Sequence, residues 1–309
     1  MFYNVENLFD TYDDPDTDDN EFLPNGARHW TWGRFYSHLR QTARVILAVG
    51  EWDTPALVGM CEVENDSVLI YLTQRTQLRA QNYLYCMTES IDPRGINVAL
   101  LYQADKFRLL GVGSKRIPFR DSDRRSRDIL HAWGLVITGD TLDVFVCHFP
   151  SRRGGERESE PARIDAANYL RSLCDSLFEC RKSANILIMG DMNDMPDNKS
   201  IGIITQSANG ERALTNLFGD AAKLNNPGSY KYQGEWNQLD QMMISRSLKE
   251  KYVDGSAAIF MPDFLLTGSK SRNKQRPLHV YNGFKYEGGF SDHLPVVAVF
   301  SLPIQQNDK

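Results

Sequence analysis

Short strand-like runs recur along the entire chain, and this feature limits the possible folds more than any other. The runs are rich in β-branched and other apolar residues, and neither a Ser/Gly linker nor a repeat of fixed short period interrupts them. They predict strands near residues 2–5, 57–63, 96–102, 130–137, 142–148, 185–190, 238–245, 256–260 and 295–301. Apolar residues at helical spacing predict helices at 35–49, 66–80 and 160–181. Helices interspersed among many strands, without a strict strand–helix–strand rhythm, favour a mixed sheet or two packed sheets with outer helices.

Chain length leaves the number of domains open, because 309 residues suit either two average domains or one large one. No linker-like segment divides the chain, so we expect a single domain over residues 1–309. The sequence begins inside its first predicted strand. We therefore expect an upstream segment to be missing, and this start does not indicate a compartment. No apolar stretch approaches the length of a membrane span, and we expect a monomer.

Net charge and cysteine content restrict the chemistry. The formal net charge of −5 argues against a broad basic surface for long nucleic acid, but leaves a small anionic substrate or a local basic loop open. The five cysteines are odd in number and form no Cys-x-x-Cys pair, which predicts free thiols. Cys61 and Cys147 each precede a residue that we consider functional, so strand alternation predicts that they lie on the opposite face.

Three further segments allow two interpretations each. Residues 10–21 hold six aspartates and form either a solvated loop or an ion site, although the glycine and closing glutamate of a calcium loop are missing. Residues 115–127 are basic but diluted by aspartates, and form either an anion-facing loop or ordinary surface. The aromatic residues of 30–36 either pack as core or form the exposed hairpin of a membrane-active enzyme.

Several common catalytic motifs are missing from the sequence. It contains no Gly-x-Ser-x-Gly, no His-Glu-x-x-His, no Gly-Lys phosphate loop and no Gly-x-Gly-x-x-Gly. Serine hydrolases, zincins, nucleotide-loop enzymes and dinucleotide-binding enzymes therefore lose their usual support.

Polar residues stand instead at the ends of the predicted strands. Those at the carboxyl ends are Asn4, Glu62, His148, Asp191 and Asn193, and those at the amino ends are Asp240, Asp292 and His293. If neighbouring strands are antiparallel, both kinds of end meet at one rim of a sheet. Each residue alone would be a turn residue or a helix cap, but their shared position predicts one site.

The residue types suit metal-assisted hydrolysis of a phosphate ester. Glu62, Asn4 and Asp292 offer hard oxygen ligands, which favour Mg²⁺, with Mn²⁺ as the alternative. Asp191 can take the proton of the attacking water, and Asn193 can hold that aspartate or the phosphate. We expect His293 to donate to a phosphoryl oxygen, with Asp240 fixing its tautomer and favouring its charged form.

Two arginines follow the His148 strand. The run His148-Phe-Pro-Ser-Arg152-Arg153-Gly-Gly brings both guanidinium groups beside the predicted rim, where they can clamp a phosphate. The alternative is that Arg153 faces solvent.

The same residues lie in short blocks that resemble, in order along nearly the whole chain, those of the endonuclease/exonuclease/phosphatase superfamily, which includes pancreatic deoxyribonuclease. The blocks are Phe-Tyr-Asn4, Met-Cys-Glu62-Val-Glu, Arg94-Gly-Ile-Asn-Val-Ala, His148-Phe-Pro-Ser, Gly-Asp191-Met-Asn193, Leu-Asp240-Gln-Met and Ser-Asp292-His293-Leu-Pro-Val. The fifth block is the most recognisable, since it resembles the family's Gly-Asp-Phe-Asn.

This resemblance implies an α/β fold with a four-layer α/β/β/α sandwich of two mixed, mainly antiparallel sheets flanked by helices. It also implies Glu62 as the principal metal ligand, with Asp292 and His293 at the scissile phosphate. In nuclease-like members the counterpart of His148 pairs with a glutamate, for which Glu89 is the candidate here. Arg94 is counted with the two later arginines as substrate-binding.

Two pairs of adjacent glutamate and asparagine residues depart from the family pattern. Glu64 and Asn65 follow the metal block, and Glu6 and Asn7 follow Asn4. They either cap turns, which we favour, or support a second metal.

We therefore predict a Mg²⁺-dependent phosphoric ester hydrolase that cleaves a phosphodiester in a nuclease-like way. In this prediction Asp191 is the base, and His148 and His293 stabilise the phosphoryl transition state. An inositol or sugar phosphatase and a sphingomyelinase-like enzyme remain alternatives, because they share the same core. A non-catalytic binding protein on this fold would have lost part of the polar set, yet every expected position is filled.

Overall fold

The computed structural model describes residues 1–50, 53–181, 183–207, 210, 212–220, 224, 228–268 and 274–302. Its strands are β1 (Phe2–Leu8), β2 (Leu57–Val63), β3 (Tyr83–Met87), β4 (Asn97–Gln103), β5 (Phe107–Lys115), β6 (Ile129–Val136), β7 (Thr141–His148), β8 (Asn185–Asp191), β9 (Leu214–Asn216), β10 (Tyr230–Tyr232), β11 (Glu235–Asn237), β12 (Asp240–Ser245), β13 (Ala258–Ile259), β14 (Leu266–Thr267), β15 (Arg276–Pro277), β16 (Tyr281–Asn282), β17 (Lys285–Tyr286) and β18 (Val296–Val297). Its α-helices are α1 (Trp32–Gly50), α2 (Asp66–Arg75), α3 (Glu156–Cys180), α4 (Lys199–Thr205) and α5 (Arg246–Lys249). Short 3-10 helices lie at Asn20–Phe22, Gln77–Gln81 and Asp263–Leu265.

Two six-stranded sheets form the centre of the molecule. The first has the strand order β13-β18-β1-β2-β4-β3, and the second has the order β5-β6-β7-β8-β12-β9. One pair of central strands in each sheet is parallel, β1 with β2 and β7 with β8, and the other named pairs in these sheets are antiparallel. The predicted sandwich of two mixed, mainly antiparallel sheets is confirmed.

Side-chain alternation along β7 and β8 explains the layers. The residues of these strands that enter the core between the sheets are Val144, Val146, Leu187 and Met189. Those that enter a second core beneath α3 are Phe145, Cys147, Ile186 and Ile188. Since side chains alternate along a strand, His148 and Asp191 continue the first series and face the space between the sheets. The helices α1 and α2 lie on the outer side of the first sheet, which completes the four layers.

The strong apolar patterns predicted most elements, whereas weaker patterns were missed. All three predicted helices form, although the predicted helix at 66–80 ends at Arg75 and continues as a 3-10 turn. The prediction missed β3, β5 and β9, each of which is an edge strand of its sheet, and it missed the short two-stranded pairs β10–β11, β14–β15 and β16–β17. Edge strands need only one buried face, and the alternating exposure of β5 leaves no continuous apolar run. The strands predicted at 256–260 and 295–301 shrink to β13 and β18.

Burial bears on the alternative interpretations of the acidic loop and of the aromatic cluster. In the acidic loop Asp13, Asp14 and Asp16 are exposed, whereas Asp10 and Asp19 are buried. In the aromatic cluster Trp30 and Phe35 are buried in the core, while Trp32 and Tyr36 are 40% and 38% exposed. No helix in the described ranges has both the length and the apolar character needed to span a membrane.

Gly190 connects the packing of the second sheet to Asp191. A Cβ atom at position 190 would lie 2.4 Å from the carbonyl oxygen of Cys147 on the neighbouring strand. No side chain fits this space without moving backbone, so the Gly-Asp-Met-Asn block has a steric reason for its first residue.

Gly190→Ala is expected to lower the free energy of unfolding by about 1–3 kcal/mol, because the added methyl group overpacks the sheet. Gly202→Ala is the matched control, since its Cβ would meet the nearest atom, the Gln206 Nε2, at an ordinary 3.6 Å and alanine stabilises a helix relative to glycine. Urea denaturation followed by circular dichroism measures both. Equal stability of the two variants would contradict the steric explanation.

Candidate active site

Strand register brings three of the predicted residues into one row across the second sheet. His148 at the end of β7 pairs with Asp191 at the end of β8, and Asp191 pairs in turn with Asp240 at the start of β12. The parallel β7–β8 pair and the antiparallel β8–β12 pair therefore deliver two carboxyl ends and one amino end to the same rim. All three side chains are buried.

The first sheet positions its site residues through irregularities in strand pairing. On β1 Asn4 pairs with Cys61 of β2, and the register of this pair shifts beyond Asn4. Glu62 adopts a left-handed backbone with φ 63°, and the β2–β4 register also shifts between Cys61 and Val63. These bulges turn Glu62 toward the rim, where its Oε2 accepts a hydrogen bond of 2.9 Å from the Asn7 backbone N–H. Left-handed backbone at a non-glycine residue costs about 1–3 kcal/mol, and such strain clusters at functional sites.

Asp191 lies at the centre of the cluster. Its Oδ2 accepts a hydrogen bond from the Asn4 Nδ2 at 3.2 Å, and lies 3.6 Å from the His148 Nε2 and 3.9 Å from the His293 Nε2. Its Oδ1 accepts a 2.9 Å hydrogen bond from the Asn193 backbone N–H. One carboxylate oxygen is thus anchored by backbone, while the other faces both imidazole rings.

His293 is oriented by a buried carboxylate. Its Nδ1 lies 2.7 Å from the Asp240 Oδ2, which also accepts a hydrogen bond from the Ser229 hydroxyl. The ring of Tyr230 covers the imidazole with a centroid distance of 4.7 Å. The Asp240 contact leaves Nε2 as the ring nitrogen that faces Asp191, as predicted for a histidine whose tautomer is fixed.

The two histidines have opposite pKa shifts. Burial lowers the pKa of His293, but the charges of Asp240, Asp292 and Asp191 outweigh burial and raise it well above the ordinary value. Burial lowers the pKa of His148 well below its ordinary value, and the positive charges of Arg127 and Arg94 lower it further. At neutral pH the site therefore holds one imidazolium and one neutral imidazole, an arrangement that separates acid and base roles.

Three carboxyl groups at the site, those of Asp191, Asp292 and Glu6, have raised pKa values. Burial raises the pKa of Asp191 to about 6, with the His293 charge opposing it and Asp240 adding to it. Burial also raises the pKa of Asp292, with the charge of Glu62 contributing. Glu6 has a raised pKa for the same reason, chiefly burial and then the charge of Asp292. Its two oxygens accept hydrogen bonds from the backbone N–H groups of Val280 and Tyr281, so Glu6 fastens a loop beside the site.

The predicted pairing of Glu89 with His148 is wrong. Glu89 is exposed in the loop after β3, whereas His148 is buried next to Glu62 and Asp191. The residues on either side of Glu89 are bonded to β4, because the Val98 backbone N–H donates to the Thr88 hydroxyl and the Ser90 backbone N–H donates to the Asn97 side chain. In the described ranges the His148 Nδ1 has no hydrogen-bond partner.

The predicted substrate-binding role of Arg152 does not fit its contacts. Its guanidinium faces the protein, donating to the Asn193 carbonyl at 2.7 Å and to the Asn198 side chain at 3.1 Å. Arg152 therefore holds the Asn193 loop in place. Arg94 and Arg153, by contrast, both line a surface pocket that begins beyond His148.

The sequence did not single out Asp92 or Ser229, and it indicated Arg127 only as part of the basic segment 115–127. Asp92 and Arg127 form a buried ion pair of 3.1 Å, and Arg127 donates to the carbonyl of Phe149. Cys61 was predicted on the face opposite Glu62, yet its sulfur lies near His148 and Asp191, because the bulge brings both neighbours to the same side. Cys147 does lie on the opposite face, in the core beneath α3. No sequence motif marks Ser229, which stands in a polar loop.

The oxygen-rich side of the cluster fits a divalent cation. Beside burial, the charge of Glu62 raises the pKa values of Glu6, Asp191 and Asp292, and such repulsion between carboxylates is relieved by a bound cation. Carboxylate and amide oxygens are the donors that Mg²⁺ and Mn²⁺ prefer. In the described ranges, the groups of three whose possible ligand atoms lie within 4.8 Å of one another are Asp191–Asp240–His293 and Cys61–His148–Asp191, and neither contains Glu62 or Asp292. In the first group, Asp240 already contacts His293. In the second group, burial raises the pKa of the Cys61 thiol, and a neutral thiol is a poor ligand for Mg²⁺ or Mn²⁺.

Comparison with known proteins identifies related folds. A family model described as "Endonuclease/Exonuclease/phosphatase family" matches residues 1–301. A mannosyl-6-phosphatase of Bacteroides thetaiotaomicron has a similar structure, with a TM-score of 0.61 and 16% identity over 97% of this chain and 98% of that chain. A humanized TDP2 of D. rerio aligns with a TM-score of 0.58 and 16% identity over 97% of each chain. The catalytic domain of human Nocturnin aligns with a TM-score of 0.52 and 15% identity over 85% and 86% of the two chains. No curated protein matches by sequence.

Asp240→Asn is expected to lower the pKa of His293, because it removes the largest charge that favours the imidazolium. Ser229→Ala is the matched control, since it removes a hydrogen bond to Asp240 but leaves the carboxylate charge in place. Nuclear magnetic resonance titration of the histidine rings, with a chelator present, measures the difference. An unchanged His293 titration in Asp240→Asn would show that this carboxylate does not set the charge of the ring.

Proposed function

The chain belongs to the endonuclease/exonuclease/phosphatase family, and on this basis we propose that it is a Mg²⁺-dependent phosphodiesterase whose chemistry is centred on Asp191. Membership makes the chain a phosphoester hydrolase of a metal-dependent class. The observation that carries the finer proposal is the position of Asp191, whose Oδ2 faces the Nε2 atoms of His148 and His293 at 3.6 and 3.9 Å. A phosphorus atom above this carboxylate would be within reach of a base and of two hydrogen-bond donors.

In the proposed reaction Asp191 acts as the general base. Its pKa of about 6 lies close to neutral pH, where a base combines availability with proton affinity. The carboxylate takes a proton from water, the water oxygen forms a bond to phosphorus, and the bond from phosphorus to the leaving oxygen breaks on the opposite side. Asn193 holds the second carboxylate oxygen through its backbone N–H, and its Nδ2 donates to the Phe149 carbonyl at 3.0 Å, which fixes this loop.

The two histidines stabilise the transition state in different ways. His293 is an imidazolium held by Asp240, so its Nε2–H can donate a charge-assisted hydrogen bond to a phosphoryl oxygen. His148 is neutral and donates without adding charge. A preorganised donor of this kind contributes about 10²–10³-fold in rate.

Glu62, Asp292 and Asn4 would hold the metal ion. When bound, the ion would neutralise charge on the phosphoryl oxygens and hold the ester in place. The protein contribution is the orientation of these donors, which depends on the strained backbone of Glu62 and on the Asn4 hydrogen bond to Asp191. Glu64 is proposed to cap a turn and not to bind a second metal, because its Oε2 accepts a 2.6 Å hydrogen bond from the Asp10 backbone N–H.

Asp191→Asn is expected to reduce Mg²⁺-dependent hydrolysis of bis(p-nitrophenyl) phosphate by about 10²–10⁴-fold, the usual contribution of a general base. Asp197→Asn is the control, because Asp197 is exposed in the same loop. p-Nitrophenyl phosphate, assayed in parallel, distinguishes a phosphomonoesterase from a phosphodiesterase. Retained turnover of both esters by Asp191→Asn would refute the proposed base.

Glu62→Gln is expected to raise the Mg²⁺ concentration for half-maximal activity at least about 10-fold, because it removes a charged ligand. Glu64→Gln, two residues later, should keep the wild-type Mg²⁺ requirement, since Glu64 bonds backbone. Activity titrated with Mg²⁺ after chelator treatment measures both. A similar Mg²⁺ requirement in all three proteins would remove Glu62 from the metal site.

A further inference from the structure

A basic pocket lies beside the candidate active site. It has a volume of about 420 Å³ and is formed by the start of α3 and by three loops, one before β4, one before β6 and one after β7. Five arginines line it, namely Arg94, Arg124, Arg125, Arg127 and Arg153. Asp92 and Glu158 are the carboxylates in the same lining, which leaves three positive charges in excess. In a chain with a net charge of −5, such a local excess points to an anionic ligand.

The floor of the pocket holds donors that the described part of the protein does not satisfy. Arg127 is 5% exposed, and its Nε has no hydrogen-bond partner. The hydroxyl of Ser126, next to it in the lining, is also buried without a partner. Buried donors normally find acceptors, because an unmade hydrogen bond costs about 1–3 kcal/mol. Oxygens of a bound anion would supply the missing acceptors.

The pocket adjoins the site of hydrolysis. Its wall includes Pro150 and Ser151, two and three residues beyond His148. Arg127 forms part of the floor and donates to the carbonyl of Phe149, the same carbonyl that accepts from the Asn193 side chain. Arg94 and Arg127 are also close enough for their charges to act on His148. A substrate with its scissile phosphorus at Asp191 can therefore extend along the His148 side into the pocket.

We propose that this arginine pocket binds a second phosphate group of the substrate, so that the enzyme prefers phosphodiesters that carry a further phosphate. A planar guanidinium group can donate two parallel hydrogen bonds to two oxygens of one phosphate. A cluster of arginines therefore favours phosphate over anions without this geometry. The proposal rests on the proposed phosphodiesterase function and adds the substrate class. Arg94 and Arg153 are expected from the sequence to bind substrate. Under this proposal they share one phosphate ligand with arginines of the basic segment 115–127.

A matched pair of substrates tests the preference. Thymidine 5′-(p-nitrophenyl phosphate) and its 3′-phosphorylated counterpart share the scissile diester and differ by one phosphate. We expect the 3′-phosphorylated ester to have at least a tenfold higher kcat/KM with Mg²⁺ present. In Arg125→Gln/Arg153→Gln, where both exposed side chains lose their charge, the ratio of the two kcat/KM values should fall toward one. Arg108→Gln, an exposed arginine on β5, is the control and should keep the wild-type ratio.

The outcomes separate the two proposals. Equal hydrolysis of the two esters by the wild type, or an unchanged preference in the double variant, overturns the pocket proposal. If neither ester is hydrolysed, the phosphodiesterase proposal fails, and calorimetric titration with inorganic phosphate in the presence of a chelator then decides the pocket. The pocket proposal requires phosphate binding by the wild type that is at least tenfold weaker in the double variant, and equal binding in both proteins overturns it.

Discussion

Like charges gathered in a buried space are the constraint on which this structure depends. Packing of the two sheets brings Glu62, Asp191, Asp240 and Asp292 to one rim, where water is largely excluded and carboxylates repel one another. His293 compensates part of this charge through Asp240. The remaining negative charge favours a bound cation. The strained backbone at Glu62 is held in place by the surrounding sheet. The free energy lost in this cluster is offset by the apolar core beneath it.

The architecture and the convergence of His148, Asp191 and Asp240 followed from the sequence, because strand ends obey simple geometry. Once apolar runs located the central strands, the polar residues that ended them had to meet at a rim, as His148, Asp191 and Asp240 do. The edge strand β5 escaped prediction because its side chains alternate between buried and exposed positions. Cys61 was misplaced because strand alternation assumes regular backbone, which the bulge before Glu62 interrupts.

Side-chain partners were less predictable than positions, because loop conformation decides them. The sequence positions of Glu89 and Arg152 suggested roles in the site. Glu89, however, is exposed to solvent, and Arg152 turns inward and donates to the Asn193 carbonyl. The buried pair of Asp92 and Arg127 joins residues from separate loops, and no spacing rule connects them. The same pair links two separate features of the site, since Arg127 forms the pocket floor and its charge adds to the burial that lowers the pKa of His148. Acidic charge on the metal side and basic charge on the His148 side would orient an anionic substrate along one direction.

The proposed chemistry requires a divalent cation bound between the two sheets by oxygen ligands. Anomalous diffraction from crystals grown with Mn²⁺, recorded near the manganese absorption edge, locates such an ion directly. We predict a peak bonded to the carboxylates of Glu62 and Asp292, within reach of a phosphate above Asp191. A peak confined to the exposed aspartates of residues 13–18, with none at the rim, would contradict the account.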